Sequence, residues 1–89
     1  MIRHNVTIIN KLGLHARAAA KLVKTSAEFE SRILIRKEGR EVDGKSIMSV
    51  MMLAASRGTE IELVIDGPDE AAALDALVTL IEDYFGEGE

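Results

Sequence analysis

The sequence predicts a two-layer α/β fold in which a four-stranded sheet is covered on one face by three helices. Three observations support this prediction. The chain has 89 residues, which is the length of one small domain, and we assign residues 1–89 to it. Apolar and polar residues alternate in four short segments, whereas apolar residues recur at helical spacing in three others. These segments follow one another in the order β-α-β-β-α-β-α.

The first strand and the first helix come from the N-terminal third of the chain. Residues 2–9 alternate between apolar and polar side chains, so they predict a half-buried strand. Residues 10–13, NKLG, interrupt that pattern. Residues 16–27 are rich in alanine and predict a helix. Its buried face would contain Ala19, Leu22, Val23 and Ser26.

A hairpin follows the first helix. Residues 32–37 alternate again, and Glu38-Gly39 predicts a tight turn into a short partner strand at residues 40–42. The hairpin makes at least part of the sheet antiparallel. The order of the strands in the sheet does not follow from these patterns.

The C-terminal half adds two helices and one strand. Ser46 is a good N-cap for a helix over residues 47–56, with Val50, Leu53 and Ala54 toward the core. Residues 60–66 alternate and predict a strand, and Asp69 predicts the cap of the last helix. The apolar residues at helical spacing, which would form the buried stripe of that helix, are Ala71, Leu74, Leu77, Val78, Ile81 and Phe85. The acidic end of the chain, GEGE, is expected to fray.

Composition excludes several classes of function. There is no cysteine and there are two histidines, so we expect no disulfide, no metal site and no cofactor. No apolar run is long enough to span a membrane, and no signal peptide is recognisable. The net charge of −4 provides no basic stripe for nucleic acid. We therefore expect a cytoplasmic protein that binds neither membrane nor nucleic acid.

The segment GREVDGKS, residues 39–46, matches the nucleotide-binding pattern G-x-x-x-x-G-K-[ST]. Glu41 and Asp43 would lie inside the phosphate-binding loop and repel a triphosphate by roughly 1–4 kcal/mol per close pair. The same residues suit the second strand of the hairpin. A nucleotide-binding sheet also needs more parallel strands than 89 residues supply. We interpret the match as a coincidence.

The segment NKLGLHARAAA, residues 10–20, combines features that suit phosphate chemistry. His15 lies where a loop ends and a helix begins, and a helix N-terminus attracts an anion. Arg17 follows in the first turn and can bind phosphate oxygens bidentately. An imidazole is a competent nucleophile near neutral pH. Spacing alone leaves open whether His15 is an idle surface residue.

This segment resembles the active-site motif of HPr, the histidine-containing phosphocarrier family of the phosphoenolpyruvate-dependent sugar phosphotransferase system. GKSIMSVMMLAA, residues 44–55, is similar to the regulatory serine segment of the same family. The resemblance implies an open-faced β-sandwich with an antiparallel sheet. One departure is Ala18, which stands where the family usually has proline.

The resemblance also implies a function. His15 would accept a phosphoryl group on Nδ1 from enzyme I and pass it to the EIIA domain of a sugar permease, with Arg17 stabilising the phosphate. Such a chain is a carrier and not itself an enzyme. The partner-docking surface would consist of Ala16, Ala20, Lys24, Ile47, Met48 and Met51. We expect the carrier to be a monomer.

Ser46 has a second role by resemblance. In many relatives this serine is phosphorylated by an HPr kinase/phosphorylase, which would add negative charge to the docking surface. Two alternatives stay open. In the first, the chain acts mainly through Ser46 as a corepressor that binds a transcription regulator. In the second, it serves a nitrogen-related phosphotransfer chain.

Overall fold

An antiparallel sheet forms one layer of the structure, a computed structural model that describes all 89 residues. Its strands are β1 (Ile2–Thr7), β2 (Arg32–Lys37), β3 (Arg40–Asp43) and β4 (Glu60–Asp66). They are arranged in the order β1-β4-β2-β3, and all neighbouring strands are antiparallel. The predicted open antiparallel sheet is confirmed. The spatial order adds that β4 and β2 occupy the centre.

Three helices form the second layer: α1 (Ala16–Ala27), α2 (Ile47–Met52) and α3 (Glu70–Glu82). A single 3-10 turn, Tyr84–Gly86, follows α3. The predicted order β-α-β-β-α-β-α is therefore confirmed. None of these helices is long and apolar enough to cross a membrane.

The core lies between the sheet and the helices. The register pairs Ile33 with Ile65 and Ile35 with Leu63, so that alternate residues of the two central strands share one face. All four side chains are completely buried. Burying an aliphatic side chain of this size stabilises the fold by about 1.5–3 kcal/mol. The alternation in the sequence was therefore a sound guide to the buried face of the sheet.

The first strand is shorter than predicted. β1 ends at Thr7, and the chain then bonds to the turn that precedes β4. The Ile8 N–H donates to the Thr59 carbonyl at 2.9 Å, and the Gly58 N–H donates to the Ile8 carbonyl at 2.7 Å. Ile8 is completely buried, so the chain still packs against the core after the regular β-ladder has ended.

The second helix is also shorter than predicted, since it ends at Met52 and not at Ser56. Ala54 has a φ of +51°, a left-handed conformation that ends a helix. Glycine usually occupies that position, and the run LAAS contains none, so the sequence pattern misses the stop. As a result Ala54 is exposed and Ala55 packs in the core in its place.

The stripe predicted for the last helix is partly wrong. Ala71 is exposed, whereas Ala73, Leu77 and Ile81 form the fully buried row of α3. This row has a spacing of four residues, which keeps its members on one side of the helix. Phe85 is completely buried as predicted, although it lies beyond the end of α3 in the 3-10 turn.

Asp69 precedes α3 but its side chain does not cap the helix. Its carboxylate accepts hydrogen bonds from the Ser31 hydroxyl and from the backbone N–H groups of Glu30 and Ser31, the last two at 2.8 and 2.9 Å. These bonds lower the pKa of Asp69, with the Ser31 hydroxyl as the main cause. Glu70, the first residue of α3, accepts from the Gly67 N–H at 3.1 Å and so bonds back to the turn before the helix. Asp69 therefore connects the start of α3 to the loop before β2.

We expect Asp69→Asn to be less stable than the wild type at neutral pH, because an amide cannot accept all three hydrogen bonds. The folded pKa of Asp69 lies below its unfolded value. Its contribution to stability is therefore complete above about pH 5 and is lost as pH falls through the folded pKa. Urea unfolding at pH 7 and pH 3 should show a difference between the two proteins that shrinks at the lower pH. Asp75→Asn, at an exposed position of α3, is the matched control. A difference that does not change with pH would contradict this assignment.

Candidate functional site

His15 forms the N-cap of α1. Its backbone is extended (φ −74°, ψ 178°), and its carbonyl accepts the first helical hydrogen bond from the Ala19 N–H at 2.8 Å. The imidazole does not cap the helix and is 27% exposed. The ring is thus available to a partner while its backbone is part of the helix start.

The first turn of α1 provides hydrogen-bond donors beside His15. The backbone N–H groups of Ala16, Arg17 and Ala18 have no backbone acceptor, as expected for the first turn of a helix. No acidic side chain occupies this turn. The end of the helix therefore carries an uncompensated positive partial charge that suits an anion. Ala18 is fully buried, so alanine fills the place of the expected proline within the packed side of the helix.

The loop before His15 is held by backbone contacts. Gly13 has a φ of +65°, and a Cβ atom at this position would lie 2.6 Å from the Ala55 carbonyl oxygen. The Leu14 N–H donates to that same oxygen at 2.8 Å. The segment after α2 therefore holds the loop that carries His15. Only glycine combines the left-handed conformation with this close approach.

Asn10 closes the same loop from within the core. It is completely buried, and its Nδ2 donates to the Gly13 carbonyl at 2.8 Å. The Gly13 N–H returns a hydrogen bond to the Asn10 carbonyl at 3.1 Å. The interruption at residues 10–13 is thus a hydrogen-bonded turn that precedes His15.

Glu87 contacts His15 directly, which the sequence patterns did not predict. Glu87 Oε2 lies 2.7 Å from His15 Nε2, and the Glu87 side chain is only 13% exposed. Its Oε1 accepts from Asn10 Nδ2 at 3.2 Å. The expectation that GEGE frays is therefore wrong for Glu87. Glu87 lies 72 residues after His15 in the sequence, and its two hydrogen bonds hold the C-terminal segment in place.

The contact defines which ring nitrogen is available. A carboxylate only accepts hydrogen bonds, so Nε2 of His15 is the donor in this pair. In the neutral ring the proton then lies on Nε2, and Nδ1 has the free electron pair.

Arg17 is exposed and has no hydrogen-bond or ion-pair partner within the chain. It lines a cleft of about 330 Å³ together with Lys11, Lys21 and Glu87. The cleft therefore contains three cationic side chains and two carboxylates, since Glu89 also lines it. Lys11 pairs with Glu89 at 3.9 Å, and Lys21 donates to the Phe85 carbonyl. The structure thus places Arg17 in the first turn of α1, next to the helix start that carries His15, and Lys11 and Lys21 line the same cleft.

Ser46 is the N-cap of α2, which confirms its predicted structural role. Its hydroxyl oxygen accepts a hydrogen bond from the Ser49 N–H at 3.4 Å, and its hydroxyl group lies 3.0 Å from Ser49 Oγ. The GREVDGKS segment contains the Gly39 turn, strand β3 and this cap. Lys45 donates to the Phe29 carbonyl at 2.7 Å and is not directed into a phosphate-binding loop. The segment is part of an antiparallel hairpin, as interpreted from the sequence.

The residues predicted to dock partners share one property, which is exposure. The large apolar residues Ile47, Met48 and Met51 are 39%, 68% and 38% exposed, respectively. Ala16, Ala20 and Lys24 are exposed on α1, and α1 packs against α2. Leu12 and Met52, 67% and 63% exposed, add to the apolar surface and were not predicted.

Comparison with known proteins identifies relatives over the length of the chain. The PTS-HPr family model, described as the PTS HPr component phosphorylation site, matches residues 2–83. A phosphocarrier protein HPr of Cupriavidus necator is 56% identical over 89 residues, covering 100% of both chains.

Solved structures agree with this result. The crystal structure of HPr-C-His from Thermoanaerobacter tengcongensis covers 98% of each chain, with 46% identity and a TM-score of 0.95. An HPr dimer from the same organism covers 98% of this chain and 100% of its own, with 46% identity and a TM-score of 0.79.

We expect Gly13→Ala to be destabilised by about 2–5 kcal/mol. This is the sum of ~1–2 kcal/mol for a left-handed non-glycine residue and ~1–3 kcal/mol for overpacking against Ala55. Gly39→Ala is the matched control, because Gly39 has a φ of +82° but no atom within 4 Å of the place that a Cβ would occupy. In urea unfolding, Gly39→Ala should lose only the stability that the left-handed conformation costs, without the further loss from overpacking. Equal losses in the two variants would show that the contact with Ala55 does not constrain the loop.

Proposed function

The chain belongs to the HPr family of phosphocarrier proteins, and we propose that His15 is the residue that carries its phosphoryl group. The observation that carries the proposal is the position of His15 at the start of α1, with Nε2 bound to Glu87 and Nδ1 left as the nucleophile. As a phosphocarrier, the chain is phosphorylated and dephosphorylated by its partners and does not itself turn over a substrate. Enzyme I is the proposed donor, and EIIA domains are the proposed acceptors.

In this proposal, the phosphoryl group reaches His15 by an in-line displacement. The Nδ1 electron pair forms a bond to phosphorus while the bond from phosphorus to the donor breaks. Little covalent chemistry is required of the chain, so its contribution is positioning and electrostatic stabilisation. The first-turn N–H groups of α1 and the guanidinium of Arg17 would bind the phosphoryl oxygens. The absence of any partner for Arg17 within the chain supports this role.

Docking is proposed for the exposed surface formed by Ala16, Ala20, Lys24, Ile47, Met48 and Met51. Apolar side chains with high exposure favour a surface that contacts other proteins. Methionine suits such a surface because its flexible side chain adapts to partners of different shape. Ser46 begins the helix that carries three of these residues. Phosphorylation there by an HPr kinase/phosphorylase is the regulatory part of the proposal, and binding to a transcription regulator is the alternative.

We propose a monomer that works in the cytoplasm. Both sheet edges carry charged or polar residues, with Arg3 and Asn5 on β1 and Glu41 on β3, and such edges disfavour pairing with a second chain. The dimer found for the Thermoanaerobacter relative is a property of that protein. Sedimentation equilibrium tests the proposal, since a mass well above 9.7 kDa would contradict it.

Incubation with enzyme I and phosphoenolpyruvate should give an acid-labile phosphoryl adduct on the wild type. We expect His15→Ala to lose the adduct completely, because no other imidazole lies at the helix start. His4→Ala is the matched control, since His4 is the other histidine and is exposed on β1. An adduct that survives in His15→Ala, or is lost in His4→Ala, would overturn the assignment.

The same assay tests Arg17. A charge-assisted hydrogen bond contributes about 1.5–3 kcal/mol, so we expect Arg17→Ala to be phosphorylated roughly 10- to 100-fold more slowly. Arg32→Ala changes an exposed arginine at the start of β2 and should retain the wild-type rate. Equal rates in the two variants would remove Arg17 from the phosphate site.

We expect Ser46→Asp to reduce the rate of phosphorylation of His15 by raising KM, because the new charge lies next to Ile47 and Met48 in the docking surface. Ser56→Asp is the matched control at an exposed serine in the loop after α2. Initial rates measured over a range of carrier concentrations separate KM from kcat. Unchanged KM in Ser46→Asp would remove Ser46 from the docking surface.

A further inference from the structure

Both oxygens of the Glu87 carboxylate are used in the site. Oε2 pairs with His15 Nε2 at 2.7 Å, and Oε1 accepts from Asn10 Nδ2 at 3.2 Å. An arrangement in which a carboxylate binds the second ring nitrogen of a histidine fixes both the tautomer and the orientation of the ring. The contact is mostly shielded from water, since the two side chains are 27% and 13% exposed.

The carboxylate is itself held from two sides. Asn10 is completely buried and also donates to the Gly13 carbonyl at 2.8 Å, so its amide group has little freedom to rotate. Two residues before Glu87, Phe85 is completely buried, and Lys21 donates to the Phe85 carbonyl. The Glu87 N–H donates to the Tyr84 carbonyl at 2.9 Å. This segment is therefore packed against the core on one side and against the His15 loop on the other.

The backbone of the segment is specialised as well. Tyr84 and Phe85 have φ values of +56° and +54°, in the left-handed region that side-chain-bearing residues rarely adopt. Such conformations persist only where the surrounding structure determines them. The buried Phe85 ring provides that constraint and directs the chain that follows it, including Glu87, toward His15.

We propose that Glu87 is a positioning residue for phosphoryl transfer. It holds the Nε2 proton of His15, leaves the electron pair of Nδ1 free, and counterbalances the positive charge that the ring acquires when Nδ1 is phosphorylated. This inference rests on the proposed function of His15.

The proton and electron balance of the step is simple. The Nδ1 electron pair forms the bond to phosphorus, and the electron pair of the breaking bond returns to the donor group. The Nε2 proton stays between the ring and Glu87, so the ring becomes an imidazolium that carries a phosphoryl group. A carboxylate at hydrogen-bond distance stabilises this cation more than it stabilises the neutral ring. Glu87 therefore acts through His15 and does not touch the phosphoryl group.

Phosphorylation rates of Glu87→Ala and Glu87→Gln test the proposal. With enzyme I and phosphoenolpyruvate, we expect Glu87→Ala to lower kcat about 10-fold, which corresponds to the loss of one charge-assisted hydrogen bond, while KM stays unchanged. Glu87→Gln keeps an acceptor oxygen without the charge and should give an intermediate kcat. Glu82→Gln is the control, because Glu82 is exposed at the end of α3 and should behave like the wild type. Wild-type kcat in Glu87→Ala, or a loss expressed only in KM, would overturn the proposal.

A second measurement uses the unphosphorylated protein, so it does not depend on the proposed function. Two-bond ¹H–¹⁵N correlation spectra should show the ring proton of neutral His15 on Nε2, protected from solvent exchange in the wild type and in Glu82→Gln. In Glu87→Ala we expect that protection to be lost while the remaining spectrum shows a folded protein. A proton on Nδ1, or unchanged protection in Glu87→Ala, would contradict the role of Glu87. Absence of phosphorylation of His15 in the wild type would instead refute the proposed function.

Discussion

The close approach of the Gly13–Leu14 backbone to the Ala55 carbonyl is the constraint on which the site depends. It joins two loops that are about 40 residues apart in the chain, one after β1 and the other after α2. Neither loop has regular secondary structure that would hold it in place. The hydrogen bond from Leu14 and the missing side chain of Gly13 together determine where α1 begins, and His15 lies at that beginning. The sheet provides the rigid base against which the loops are packed.

Charges of both signs lie near His15. Arg17 and two lysines line a cleft together with Glu87 and Glu89, and Glu87 also contacts Nε2 of His15. A phosphoryl group is an anion and the ring that carries it is a cation, so groups of opposite sign are available for both charges of the product. The function proposed for this chain therefore depends on a histidine whose two nitrogen atoms face different surroundings.

The regular part of the fold was largely predictable from the sequence, because alternation and helical spacing report directly which face of each element is buried. Ile61, Leu63 and Ile65 show this for β4. The order of the strands was not predictable from these patterns, since a period of two residues carries no information about which strand is adjacent.

The end of α2 was missed because an alanine, Ala54, adopts the conformation that glycine usually provides. Of the candidate site, the sequence could indicate only the local part, since His15, Arg17 and the helix start are contiguous. Glu87 was missed because it lies in a short Gly-Glu segment that is typical of a solvated terminus. One signal was available, because Phe85 continues the apolar spacing of α3 past its end and so keeps the chain on the core as it reaches Glu87.

The burial of Phe85 has a consequence for how the site is approached. Moving Glu87 away from His15 by opening the whole segment would withdraw the Phe85 ring from the core, at a cost of about 3 kcal/mol. At that cost the open form has a population of less than about 1%. The Nε2 side of the ring is therefore covered by Glu87 in nearly all molecules at any moment. A group that reaches the ring thus finds its orientation set before it binds.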